Sequence, residues 1–406
     1  MIQVDESFVD EALERAIPLA VQWDLTWRCD HKCVHCYLTD RHQPELTLEE
    51  AERVLDELAA AGSMLILFSG GDLFLRPDAL AIIAAARARR FDVKLNTHGN
   101  FIDDAVADEL ARLRVQQVGI SLYSDLAEEH EAVTLIPGSH AKTIAAGRRL
   151  RERGVSVSFK TPLTVYNRKS WHRVEAIAEE LGAKWEVDSS LIPDDQSDFG
   201  LCKIGIDPTE RVLANLKMLD DRRAVQVPFD EIPATPSKRR VCSAGTASAY
   251  ITPDGRVFPC LTWREEMGSL REASFSEIWN ESPAAPGIRA VRRASFLKGG
   301  CDGCQFHGHC SYCPGISHAE SQGDPTKRSA YICERTHLTL SSMEHMLRLI
   351  EKDAPVPLPG SPEAEALLNG PPTMADRQWA ARKAGWSQPS DRLHGGLIQI
   401  GEPRPR

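Results

Sequence analysis

Cys29, Cys33 and Cys36 form a CxxxCxxC run, Cys29-Asp-His-Lys-Cys33-Val-His-Cys36, directly after the apolar segment 19–25. Three thiolates in one short loop can hold a single metal centre and leave one coordination position open, and chemistry is expected at that position. A zinc knuckle is the structural alternative, but it needs a fourth protein ligand, for which the loop offers only His31 or His35. Seven more cysteines gather later in the chain: Cys242 and Cys260 on either side of Gly255, then Cys301-Asp-Gly-Cys304, Cys310-Ser-Tyr-Cys313 and Cys333. Tandem CxxC pairs read equally well as a zinc ribbon or as iron–sulfur ligands. Seven thiols fit neither one tetrahedral site nor two complete ones. The remaining thiol, Cys202, stands apart from this array and reads as a free buried cysteine or as an eighth ligand.

Elements that position these groups follow from hydrophobic periodicity. Short apolar runs at 19–25, 64–68, 93–97, 118–122, 155–160 and 184–187 predict strands, and amphipathic stretches at 47–61, 77–90, 103–113, 139–153 and 168–182 predict the helices between them. Thr47-Leu-Glu-Glu50 is a capping-box start and Gly62 a stop. Strands separated by helices imply right-handed crossovers and a parallel sheet, so the fold class is α/β, a partial (β/α)6 TIM-type barrel with a small cysteine-rich C-terminal domain. In such barrels the loops after the strands carry the site. Strand ends in this chain bear Ser69-Gly70-Gly71-Asp72, Asn96-Thr97, Ser121 and Lys160. Domain boundaries are expected as a lead at 1–18, the barrel at 19–188, a proline-punctuated connector at 189–241, a metal-stapled domain with a closing helix (338–351) at 242–351, and a mobile Pro/Gly-rich tail at 352–406. Helices are also expected at 208–222 and, within the tail, at 377–386.

Composition limits the function. With 406 residues, 42% hydrophobic and 26% charged, the chain is an ordinary globular protein of more than one domain. No apolar run approaches the roughly 20 residues that span a bilayer. The acidic N-terminus lacks a secretory signal, so a reducing cytoplasm is expected and the eleven cysteines read as ligands rather than disulfides. A formal charge of −10 argues against a nucleic-acid surface.

The cysteine loop after the first strand, with the strand-end groups in order behind it, resembles the radical S-adenosylmethionine (radical SAM) superfamily. The resemblance implies that Cys29, Cys33 and Cys36 hold a 4Fe–4S cluster whose open iron binds the methionine part of SAM, and that an electron from it releases a 5′-deoxyadenosyl radical that takes hydrogen from a substrate. By the same resemblance Gly70, Gly71 and Asp72 form the GGE-type segment that holds the SAM amino group, with Asp where the longer Glu is usual. Ser121 would touch the ribose, Lys160 or Lys142 would pair with the methionine carboxylate, His35 would border the adenine, and Asn96 joins the same strand-end set. The later cysteines resemble the SPASM extension of radical SAM enzymes, although Cys310-x-x-Cys313 is one residue shorter than usual. This implies one or two auxiliary iron–sulfur clusters, with Cys301, Cys304, Cys310 and Cys333 on one, and Cys242, Cys260 and Cys313 on the other. The second set is completed by Cys202 or keeps an open iron.

Known SPASM enzymes act mostly on peptides, and the expected function is hydrogen abstraction from a precursor peptide, leading to a crosslink, an oxidation or an epimerisation. Leu261 stands where sulfatase-maturing enzymes carry an Asp after the matching cysteine, which counts against that branch. Modification of a haem precursor is the alternative, and a non-catalytic iron–sulfur or zinc-binding protein is another. Implied partners are the precursor peptide and a reductant such as flavodoxin or ferredoxin. Because under about 20 residues precede the first strand, too few for a leader-binding domain, leader recognition is expected from a separate partner, from the small C-terminal domain or from the tail.

Overall fold

The computed structural model describes residues 6–206, 208–221, 240–304, 310–336, 349, 355–358 and 361–369. Six strands, β1 (Ala20–Thr26), β2 (Leu65–Gly70), β3 (Asp92–Thr97), β4 (Gln117–Ser121), β5 (Val157–Pro162) and β6 (Lys184–Asp188), pair in parallel in sequence order. Their crossovers contain α2 (Leu48–Ala60), α3 (Ala79–Ala88), α4 (Asp104–Arg112), α6 (Ser139–Glu152) and α7 (Val174–Glu180), preceded by α1 (Glu6–Arg15) and with α5 (Ala127–Thr134) inserted after β4. The capping box forms as its sequence predicts: Thr47 accepts from the Glu50 N–H while Glu50 accepts from the Thr47 N–H. The core lies between sheet and helices. Val21, Trp23 and Leu25 of β1 pack with Ile66 and Phe68 of β2 and with Val54, Leu55 and Leu58 of α2, all fully or almost fully buried.

The first strand is not an edge. On its other side β1 pairs in parallel with β7 (Ser248–Ile251), which continues antiparallel into β8 (Arg256–Phe258) and β9 (Gly268–Ser269). One nine-stranded sheet of order β6-β5-β4-β3-β2-β1-β7-β8-β9 therefore runs from the barrel into the cysteine-rich region. That region adds α9 (Phe275–Glu281), α10 (Ala285–Ala290) and α11 (Pro314–Ser321). Phe275, Ile278 and Trp279 of α9 join the same core as the barrel.

Several elements differ from expectation. Helix α5 was not predicted; it starts without a side-chain cap and ends on Leu135 in the left-handed region. The helix expected over 168–182 is reduced to a short turn at Trp171–Arg173 followed by α7. Asn167 holds the start of that segment in a loop, its amide donating to the Tyr123 and Pro162 carbonyls and its oxygen accepting from the Thr164 N–H. The expected helix at 208–222 is α8 (Pro208–Asp221). Inside the stretch expected to be a mobile tail, a helix Pro362–Asn369 buries Ala364 against Val212, Leu213 and Leu216 of α8. The helices expected at 338–351 and 377–386 lie outside the described residues, apart from Leu349, which packs in the same cluster.

Candidate active site

The Cys29–Cys36 loop leaves β1 at its C-terminal end and is fixed by its neighbours. Arg28 grips Glu45 through two hydrogen bonds of 2.8 and 2.9 Å, and Thr26 Oγ1 donates to the same carboxylate. At the far side Lys32 N–H and Val34 N–H donate to the Thr134 and Val133 carbonyls, free acceptors at the C-terminus of α5. The loop thus rests on the helix that the sequence pattern did not predict.

Beneath it lies Asp24, fully buried in β1. Its Oδ2 accepts from Tyr250 Oη at 2.7 Å, Trp27 Nε1 at 3.0 Å and Tyr37 Oη at 3.4 Å. Burial raises its pKa, against the lowering effect of the Tyr250 and Trp27 donors and of the nearby Arg264 guanidinium. One carboxylate thereby ties together β1, both flanks of the cysteine loop and β7.

The three cysteines face one another. Burial, then the charges of Cys36 and Cys29, push the Cys33 thiol up to about 12, and burial raises that of Cys36. Thiolates crowded in this way need a bound cation to stay deprotonated, and a cluster held through three thiolates supplies one. The residues present therefore fit a 4Fe–4S group. When bound, such a cluster supplies one electron to the sulfonium of SAM, generating the radical that abstracts hydrogen.

Around the thiols lies a shell of histidines and carboxylates. Donor atoms of Cys29, Asp30, His31 and His98 lie within 4.8 Å of one another. The His31 and His98 rings stack at 3.7 Å, and His98 Nε2 is 2.9 Å from Asp30 and 3.2 Å from Asp72. Burial works to lower the pKa of His98, but Asp72, Asp30 and Cys29 outweigh it and raise the value to about 10. Burial and the charge on His98 lower that of His31. The opposite directions of the two shifts disfavour two cations in contact within the stack. On the other side Tyr123 reaches Cys33 and Ser121, and its Oη is 3.4 Å from His35 Nε2. His35 Nδ1 is buried without a partner, and burial lowers its pKa to about 4.

Other expected residues fall as follows. Gly70 and Gly71 are required by the chain's own backbone: a Cβ on Gly70 would run into the Thr26 carbonyl, and one on Gly71 into those of Trp27 and Arg28. The strand end is thereby packed against the cysteine loop and sealed by Gly71 N–H to Thr26 O and Asp72 N–H to Arg28 O. Asp72, expected to hold the SAM amino group, already carries partners of its own. It is fully buried, Oδ1 accepting from the Phe74 N–H and Oδ2 from Thr97 Oγ1 and the His98 N–H. It thereby bridges its own loop, through Phe74, and the end of β3, through Thr97 and His98.

Asn96 and Lys160 meet above Gly119, whose missing Cβ leaves space for both side chains; the Asn96 oxygen is buried and unpartnered, and Lys160 lies 3.7 Å from Glu186. Ser121 pairs in register with Lys160. Lys142 is exposed in the first turn of α6.

In the C-terminal region Cys242 is pushed up to about 11 by burial and by Cys260 and Cys313. Cys301 rises to about 12 through burial and Cys333, Cys310 and Cys304. The thiols thus gather in two sets. Cys202 lies elsewhere, donating to the Leu191 carbonyl at 3.6 Å and facing Tyr331. Asp24, Asp30, His98 and Tyr123 escaped the sequence reading, although a lone carboxylate in an apolar strand and a histidine directly after Asn96-Thr97 were visible signals.

Comparison with known proteins agrees with this geometry. Residues 24–181 match the radical SAM superfamily model, and residues 242–314 match that of the SPASM iron–sulfur cluster-binding domain. Among relatives, an AdoMet-dependent heme synthase of Methanosarcina barkeri is 26% identical over 78% of this chain and 97% of its own length. The antilisterial bacteriocin subtilosin biosynthesis protein AlbA of Bacillus subtilis is 28% identical over 74% of this chain and 68% of its own. The crystal structure of Streptococcus suis SuiB bound to S-adenosylmethionine has the same fold, with a TM-score of 0.61, 16% identity and 80% of each chain covered. No helix among the described residues is long and apolar enough to cross a membrane. The chain is a radical SAM enzyme with a C-terminal SPASM domain, and its cofactors are S-adenosylmethionine, the 4Fe–4S cluster that binds it and auxiliary iron–sulfur clusters.

Proposed function

We propose that this enzyme abstracts hydrogen from a precursor peptide laid across the barrel mouth, and so forms a crosslink, an oxidation or an epimerised centre. The observation that carries the reading is the open flank of the sheet. Among the described residues no strand pairs with the outer side of β6, whose residues are alternately exposed and half-buried. That flank adjoins the strand ends bearing Lys160 and Ser121, and a chain substrate can enter it sideways. The identity with AlbA, which serves bacteriocin biosynthesis, supports the same substrate class.

In this reading Cys29, Cys33 and Cys36 hold the SAM-binding cluster, and the two C-terminal cysteine sets hold auxiliary clusters. Asn96, Ser121 and Lys160 contact SAM. Lys160, which sits at a strand end, is the carboxylate partner in preference to the exposed Lys142. His35 is held by Tyr123 at the edge of the adenine site. A flavodoxin or ferredoxin supplies electrons. A second reading, modification of a tetrapyrrole, is favoured by the heme synthase relative, matched over 97% of its length.

Co-expression with peptides encoded beside the gene, followed by mass spectrometry, tests the proposal. Loss of a pair of hydrogen atoms, or deuterium uptake without mass change in ordinary water, is expected. SAM-dependent turnover of a tetrapyrrole with no change in any such peptide would overturn it.

A further inference from the structure

Arg211, in the first turn of α8, is 6% exposed. Its Nη2 reaches the Ile206 carbonyl only at 3.5 Å, and Nε and Nη1 have no hydrogen-bond partner. A buried guanidinium is costly unless paired, and a cation near the N-terminus of a helix also opposes the helix dipole. A bound anion offsets both penalties.

The surroundings suit one. Arg211 and Arg335 act together on the Cys202 thiol and the Tyr331 hydroxyl, lowering the pKa of each against the dominant effect of burial. Of the neighbouring carboxylates, Asp198 caps its own turn, with Oδ1 accepting from the Gly200 N–H at 2.9 Å, and Glu210 pairs with Arg168 at 3.5 Å. Cys202 Sγ and Tyr331 Oη both donate to the Leu191 carbonyl, which places the group just beyond the C-terminal end of β6, on the mouth side of the barrel. Tyr331 is two residues before Cys333 of the auxiliary set. Arg211 itself is buried, whereas Cys202, Tyr331 and Arg335 beside it are half-buried, so an anion would enter past these three side chains.

We propose that Arg211, backed by Arg335, binds a carboxylate of the substrate between the barrel mouth and the auxiliary cysteines. The planar guanidinium fork matches a carboxylate through paired hydrogen bonds. The assignment rests on the substrate lying across the barrel mouth, as proposed above. A peptide offers an acidic side chain or its C-terminus, and a tetrapyrrole offers propionates; the chemistry at Arg211 is the same.

The test uses the anaerobically reconstituted full-length enzyme and two pairs of probes. One pair is a precursor peptide encoded beside the gene and its counterpart with every carboxylate converted to an amide; the other is haem and its dimethyl ester. At least tenfold tighter binding of the acid in one pair is expected, and Arg211→Met should abolish that preference while melting at or above the wild-type temperature in the absence of ligand. Arg211→Lys, which keeps the charge without the fork, should retain part of the preference. A preference confined to haem would uphold the carboxylate site and overturn the peptide reading. Equal binding of acid and neutral forms in both pairs by the wild type, or a preference undiminished in Arg211→Met, would overturn the site.

Discussion

Cys33 shows how strongly individual residues are committed to their site. Its thiol is pushed up to about 12 by burial and by Cys36 and Cys29, so without a bound metal centre it stays protonated, and its thiolate form depends on the cationic core of a cluster. Cys33→Ala is expected to lower the iron content by about four atoms per chain and to abolish 5′-deoxyadenosine formation, as read by iron analysis and chromatography. His130 supplies a pH signature. Its Nδ1 accepts from the Tyr123 N–H, Nε2 has no partner, and burial together with His140 lowers its pKa from 6.5 to about 3. The unfolded chain takes up this proton first, so the contribution of neutral His130 is complete above pH 6.5 and is lost as pH falls toward 3. His130→Asn keeps an acceptor for the Tyr123 N–H and should flatten the decline in urea stability between about pH 6.5 and 4 by up to about 3 kcal/mol.

Among the elements, the β1 loop and the β2 end are locked by glycine. Gly71→Ala places a Cβ against the Trp27 and Arg28 carbonyls, so the strand end and the cysteine loop must separate. A loss of roughly 2–4 kcal/mol in urea unfolding, with loss of the SAM-binding cluster even in protein that folds, is expected. The six barrel strands were legible because buried parallel strands are short apolar runs between amphipathic helices, and Thr47 to Glu50 spelled its own cap. Helix α5 was not, because Ala127–Thr134 has neither an N-terminal cap nor a clear apolar stripe. The cysteine spacing announced the chemistry, whereas the partners of Asp72 and the stack of His31 on His98 arise only when β1, β2 and β3 are brought together. The backbone contacts that require Gly70 and Gly71 were hidden for the same reason: spacing says that a glycine is needed, not which backbone it packs against.

At the scale of the molecule, barrel and cysteine-rich region share one sheet and one core. Asp24 in β1 and Tyr250 in β7 join them by a buried 2.7 Å hydrogen bond. Tyr250→Phe leaves part of the Asp24 acceptor capacity unsatisfied and should cost about 1–3 kcal/mol, with barrel and SPASM probes still melting in one transition. Separate transitions in the wild type would show that the shared sheet does not couple them. The pairing of β1 with β7, from Ala20↔Ser248 to Trp23↔Ile251, also bears on inheritance. A recombination event that brought in the C-terminal half of a relative would have to match four consecutive residue pairs on the strand that carries the radical-generating loop. A one-residue slip would turn the side chains of β7 to the opposite face. The two halves are therefore expected to travel through evolution, and through the laboratory, as a single unit.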